Sequence, residues 1–169
     1  MGRNDNIKRA KKLKEAKRKR EQEAMIDSGQ GPAQSEIKKR VTSQGAEVRL
    51  NKSPVKYSNL LKDFAEPFLE KEDSINDLKT KLFFGIHVWN AAIMKERNNE
   101  VYLKLRHDTL SVLRDIQEGE KVFDNMVKRK EDKFAEYKNF IVDFEIKKMK
   151  GVDYELSVAT SSYFREEKI

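Results

Sequence analysis

The chain has 169 residues, 36 of them Lys or Arg and 29 Asp or Glu, for a formal net charge of +7. That length suits one modest domain with appended segments. No stretch approaches the roughly 20 apolar residues that cross a bilayer, and the absence of cysteine excludes disulfides, thiolate zinc sites and cysteine nucleophiles.

The charge is unevenly placed. Residues 1–56 hold 16 Lys+Arg and 7 Asp+Glu, a net of +9, whereas residues 57–169 hold 20 and 22, a net of −2. The densest part is a basic arm over 1–24 that contains Lys8, Arg9, Lys11, Lys12, Lys14, Lys17, Arg18, Lys19 and Arg20. Its Ala, Lys, Arg, Glu and Leu residues favour helix. Its apolar residues Ile7, Ala10, Leu13 and Ala16 step by three, so they drift around a helix and form no stripe. The arm is therefore expected to be nascent helix that orders on a partner. No apolar core follows the early positive charges, so a secretory signal is not expected.

Residues 25–56 read as a linker. Gly29, Gly31 and Pro32 break the pattern, a short helix could form over 36–44, and Ala46, Val48 and Leu50 alternate as in a short edge strand over 46–50. From Tyr57 the periodicity tightens. Ser58 can cap a helix with Leu60, Leu61, Phe64, Phe68 and Leu69 on one face, and Pro67 must kink it or restart it. Asp73 or Ser74 then caps a central helix whose stripe is Ile75, Leu78, Leu82, Ile86, Trp89 and Ile93, widened by Phe83, Val88 and Ala92. A third helix is expected over 98–117 and a fourth from about Glu120 to Tyr137, with the break at Glu118 and Gly119.

After that the period becomes two. Phe140, Val142, Phe144 and Ile146 alternate with polar or outward residues, Gly151 offers a turn, and Tyr154, Leu156, Val158 and Thr160 repeat the alternation, which predicts a β-hairpin with one buried face. The expected fold is α+β, mainly α. It is an antiparallel bundle of about four helices with a C-terminal β-hairpin, three-stranded if 46–50 joins, carried behind the basic arm. The body spans 57–161 and a frayed tail follows over 162–169.

The segments FAEPFLE, VWNAAI, YKNFIVDFEI and ELSVATS occur in that order over roughly residues 58–160. Their pattern of a FAEP-type helix, a WN-containing helix and a terminal hairpin resembles a family of small uncharacterised bacterial proteins. The resemblance implies a bacterial origin and the same helices-plus-hairpin plan, with no mechanism attached.

Catalytic signatures are sparse. Neither His87 nor His107 has Glu three residues before it, as a helical di-metal site requires, and there is no H-E-x-x-H, nucleophile elbow or P-loop. Arg106, His107 and Asp108 are consecutive, so on a helix they diverge. Glu66, Glu70, Glu72 and Asp73 form an acidic cluster that reads as a hydrated helix junction or a cation site. The basic runs at 128–133 and 147–150 read as solvated faces. His87, Trp89 and Asn90 are a candidate pocket, with the indole as a wall and the imidazole or amide as polar contact. The structural alternative is a core indole that needs only a partner for its N–H.

The basic arm carries the functional expectation. Such arms bind polyanions by counterion release without reading sequence. The expected function is a non-catalytic, cytoplasmic accessory protein that binds structured RNA or the ribosome through the nine cations, with no cofactor and no metal. A membrane surface is disfavoured, because the arm lacks Trp, Phe and a coherent apolar face. The alternatives are a protein-docking adaptor and a small-ligand or enzymatic site at His87, Trp89 and Asn90.

Overall fold

The computed structural model describes residues 3–28, 31–45, 47–48, 55–71, 73–112, 118–149 and 152–163. Two compact units result, Met1–Lys52 with Phe144–Val158, and Ser53–Asp143 with Ala159–Ile169. Among the described residues there are six α-helices and a two-stranded sheet. The four-helix bundle expected is thus not the architecture: the six helices fall in two units, four of them within 57–161. No helix among them is long and apolar enough to cross a membrane.

The first unit begins with α1, Arg3–Asp27, and continues with α2, Pro32–Ser43. The arm is one unbroken helix that runs past residue 24. The helix foreseen at 36–44 starts earlier because Pro32, which has no N–H to lose, occupies its first turn. Gly31 at the N-cap has no side chain to satisfy the exposed N–H groups. Instead Glu155 of the hairpin accepts from the Ala33 N–H at 3.0 Å and the Gln34 N–H at 3.3 Å. A Cβ on residue 31 would displace that carboxylate, so glycine lets it approach the start of the helix. Toward the other end of α2, Arg40 donates to Glu145 at 2.6 Å and to the Phe144 carbonyl at 3.0 Å. Gly45 then takes φ +77° just past the helix, as a C-terminal αL glycine does.

The hairpin is β1, Phe140–Met149, and β2, Val152–Ser161. Its base belongs to the second unit and its tip to the first. A third strand is not found: Glu47 and Val48 are in no strand, and the rest of 46–50 lies outside the described residues, as does the turn expected at Gly151. Nor is only one face buried. Phe140 and Ile141 are both buried, Val142 is exposed, and Glu145 and Glu155 are buried beside Ile146 and Leu156. A carboxylate can turn inward here because Arg40 neutralises one and the first N–H groups of α2 satisfy the other.

The second unit is built on α4, Ile75–Arg97. Before it, α3 covers Tyr57–Ala65, with Lys56 and not Ser58 at the N-cap, and Glu66–Phe68 form a 3₁₀ turn with Pro67 in its first turn. Ser74 caps α4 in a capping box. Its Oγ accepts from the Asp77 N–H at 3.2 Å, and the Asp77 carboxylate accepts from the Ser74 N–H at 3.0 Å. Leu78, Leu82, Ile86, Trp89 and Ile93 are buried as expected, but Phe83 is 56% exposed and does not widen the stripe. Asn98 ends α4 and caps α5, Asn99–Val112, by accepting from the Glu100 and Val101 N–H groups. The continuation of α5 to residue 117 lies outside the described residues. Glu118, at φ 64°, then leads into α6, Gly119–Lys133.

At the centre, Trp89 is fully buried, with Phe64, Phe134 and Tyr57 at centroid distances of 5.3, 5.8 and 6.2 Å. Its indole N–H donates to the Asn139 carbonyl at 3.1 Å. The neighbouring Asn90 amide donates to the Ile141 carbonyl at 2.8 Å and accepts from the Ile141 N–H at 2.9 Å. Asn90→Leu should lower stability by about 2–4 kcal/mol, because it strands both backbone groups of Ile141; urea unfolding measures it. Glu155→Ala and Gly31→Ala should each cost about 1–2 kcal/mol through the same cap. Their double variant should then be markedly less than additive.

Candidate nucleic-acid interface

All nine arm cations expected to bind polyanion lie on α1, and every one is exposed. Their positions wind around the whole helix, so α1 presents positive charge on every side. Lys17 and Lys19 lie 3.9 Å from Glu21 and Glu23 in exposed i,i+4 pairs. Pairs of that kind contribute only a few tenths of a kcal/mol and leave the ammonium groups open to other anions. From Lys8 to Lys14 the chain itself holds no Asp or Glu.

Several cations of the second unit are differently placed. Lys81 donates to Asp73 at 2.7 Å and lies 3.6 Å from Glu70. The Glu70 N–H and the Lys81 ammonium together hold the Asp73 carboxyl below its usual range. Glu66 lies 3.6 Å from Arg129, so three of the four acids in the cluster seen in the sequence face cations, while Glu72 lies outside the described residues. Arg106 pairs with Glu120 and lies 3.4 Å from Asp124, whereas His107 is exposed. The consecutive Arg106, His107 and Asp108 therefore do not converge.

The run at 128–133 is not the uniformly solvated face expected. Lys128 and Lys133 are exposed, but Arg129 donates to the Phe64 and Asp63 carbonyls at 3.2 and 2.7 Å, closing the end of α3. Lys130 is 3% exposed. Its ammonium donates to the Phe134 carbonyl at 2.7 Å and the Tyr137 carbonyl at 3.0 Å, and sits 4.5 Å from the centre of the Trp89 ring. Burial pulls its pKa down to about 8, with the nearby Lys138 charge adding to the effect. The sequence carried a signal for this placement. Lys130 continues the spacing of Phe123, Met126, Val127 and Phe134, the buried face of α6.

The candidate pocket residues are adjacent but differently employed. The polar atoms of Trp89 and Asn90 are engaged by the backbone of 139–141. His87 is half-buried with its ring 4.4 Å from that of Phe83, and burial holds its pKa below the ordinary value against the opposing charge of Asp108. A separate groove of about 420 Å³ lies along α6, with Pro67, Phe68, Val122 and Met126 as apolar lining and Asn125, Lys128, Arg129, Asp132 and Lys133 as polar lining. No family model matches the chain, and no curated protein or solved structure is significantly similar to it.

Lys130 generates a pH prediction. Its folded pKa of about 8 lies below the ordinary value of 10.5. Below pH 8 both states are protonated and the cost of burying the charge is fully present. Between pH 8 and 10.5 the unfolded chain binds the proton that the folded chain has released, so stability rises with pH, by up to about 3 kcal/mol. Urea unfolding at pH 7 and pH 9.5 should show Lys130→Met losing less, or gaining more, than the wild type at the lower pH. A pH-independent difference would remove this assignment.

Proposed function

We propose that the protein is a non-catalytic accessory factor that binds structured RNA or ribosomal particles through α1. The observation that carries this reading is the contrast between two sets of cations. Lys81, Arg106, Arg129 and Lys130 hold helix ends and helix pairs together, while the nine cations of α1 from Lys8 to Arg20 are all exposed to solvent. A dense, exposed set of cations with no fold-holding role suits a polyanion, whose condensed counterions are released on binding. If ~6 phosphates are contacted, the logarithm of the binding constant falls with the logarithm of salt at a slope of about −5. Ribosomes are an abundant cytoplasmic polyanion, which fits the bacterial origin implied by the resemblance to the small FAEP-type family.

A second reading, a protein-docking adaptor, is favoured by the groove lined by Pro67, Phe68, Val122 and Met126. Such a groove can seat an apolar anchor of a partner. The two readings separate in one experiment. Retention on RNA from a native lysate is compared for the full chain and a chain lacking residues 1–24, at low and high salt and with and without nuclease. The RNA reading expects retention that needs residues 1–24, weakens with salt and is abolished by nuclease. Equal retention of the two chains would sink it, and salt-insensitive, nuclease-insensitive capture of one protein would favour the adaptor.

A further inference from the structure

The cations of α1 are not equivalent. From Lys8 to Lys14 there are five, Lys8, Arg9, Lys11, Lys12 and Lys14, and no acid. From Glu15 to Ala24 there are four, Lys17, Arg18, Lys19 and Arg20, against Glu15, Glu21 and Glu23. Two of those glutamates lie 3.9 Å from Lys17 and Lys19. The stretch Lys8–Lys14 thus carries a net charge of +5 and Glu15–Ala24 a net charge of +1.

Two further facts bear on the stretch Lys8–Lys14. With no acid among them, the five cations repel one another in the free protein and together attract phosphate. At about 100° per residue, the five side chains cover an arc of about 220° around the axis. A flat anionic surface faces about half of a helix's circumference, whereas phosphates on two sides reach the whole of the wider arc. The remaining arc is occupied by Ala10 and by Leu13, which is 66% exposed.

Resting on the RNA reading above, we propose that Lys8–Lys14 is the anchor of α1 and that it lies between two phosphate strands, in a groove of base-paired RNA. A helix with its side chains is roughly 10–12 Å across. The groove of regular A-form RNA is too deep and narrow on one side and too shallow on the other to hold it. The target is therefore a duplex opened by a bulge or internal loop, where the two walls stand far enough apart to flank the helix.

The test uses the full chain and three RNAs of equal length, a hairpin with an internal bulge, a fully paired hairpin and an unstructured strand. Affinities are measured by fluorescence anisotropy across a salt series. The bulged hairpin is expected to bind at least tenfold more tightly than the unstructured strand, with the fully paired hairpin weaker than the bulged one. A bulged-hairpin advantage below tenfold over the strand, or a fully paired hairpin that binds as tightly as the bulged one, overturns the groove placement.

Two variants then locate the anchor. Changing Lys8, Arg9, Lys11, Lys12 and Lys14 together to Gln is expected to reduce the salt slope on the bulged hairpin by about 4. Changing Lys17, Arg18, Lys19 and Arg20 together to Gln is expected to reduce it by less than half as much. Gln is a good helix former and all nine positions are exposed, so both variants keep their fold. A second variant that loses half as much slope as the first, or more, overturns the assignment while leaving RNA binding intact. If the wild-type chain shows no salt-dependent affinity for any of the three RNAs, the RNA reading itself fails, and this proposal with it.

Discussion

Two adjacent side chains on α4 fix the point at which the chain passes from helix to strand. Trp89 donates its indole N–H to Asn139, and Asn90 pairs with both backbone groups of Ile141. The interaction holds because α4 carries ten buried residues, Trp89 among them. With Val88, Ala91, Ala92 and Ile93 all buried around them, the fully buried indole has only the strand backbone as partner, and the half-buried amide pairs with it twice. The start of β1 is thereby specified by hydrogen bonds from a rigid helix, which a two-stranded ribbon needs because a hairpin alone is marginal in water.

The same unit shows how buried polar groups are made tolerable. Two carbonyls and the face of Trp89 surround the buried Lys130 ammonium. Arg129 beside it serves the last carbonyls of α3. Both side chains thus answer the unsatisfied C=O groups at helix ends. In the other unit the problem is reversed, and a buried carboxylate, Glu155, answers the unsatisfied N–H groups at the start of α2. In each case a charge is buried where a helix end supplies the complementary partial charge.

The helical elements were largely legible. The stripes of α3, α4 and α6 and the break at Glu118 and Gly119 follow from apolar spacing, because one face of each helix must be buried. The hairpin was legible from its period, yet its burial was not. Alternation identifies two faces but cannot say that Glu145 and Glu155 would each meet a partner about 105 and 121 residues away in sequence. Phe83 misled for the converse reason, since an aromatic residue next to a stripe is buried only if another element covers it, and among the described residues Phe83 stays 56% exposed. Of the candidate site, the nine cations from Lys8 to Arg20 were identified by density alone. The inward turn of Lys130 was visible as a continuation of the α6 stripe, though a run of charge masked it.

By itself, the sequence determined where the positive charge lies, which segments are helical, and that the chain ends in a β-hairpin, because composition and periodicity are local properties. Only the tertiary structure decided which charges are committed and which are exposed. Arg40, Arg106, Arg129 and Lys130 look no different in sequence from Lys8 or Lys14, and what separates them is the presence of a carbonyl or carboxylate brought close by packing. The commitment of a charge depends on distances between residues far apart in the chain, and no local pattern encodes those distances.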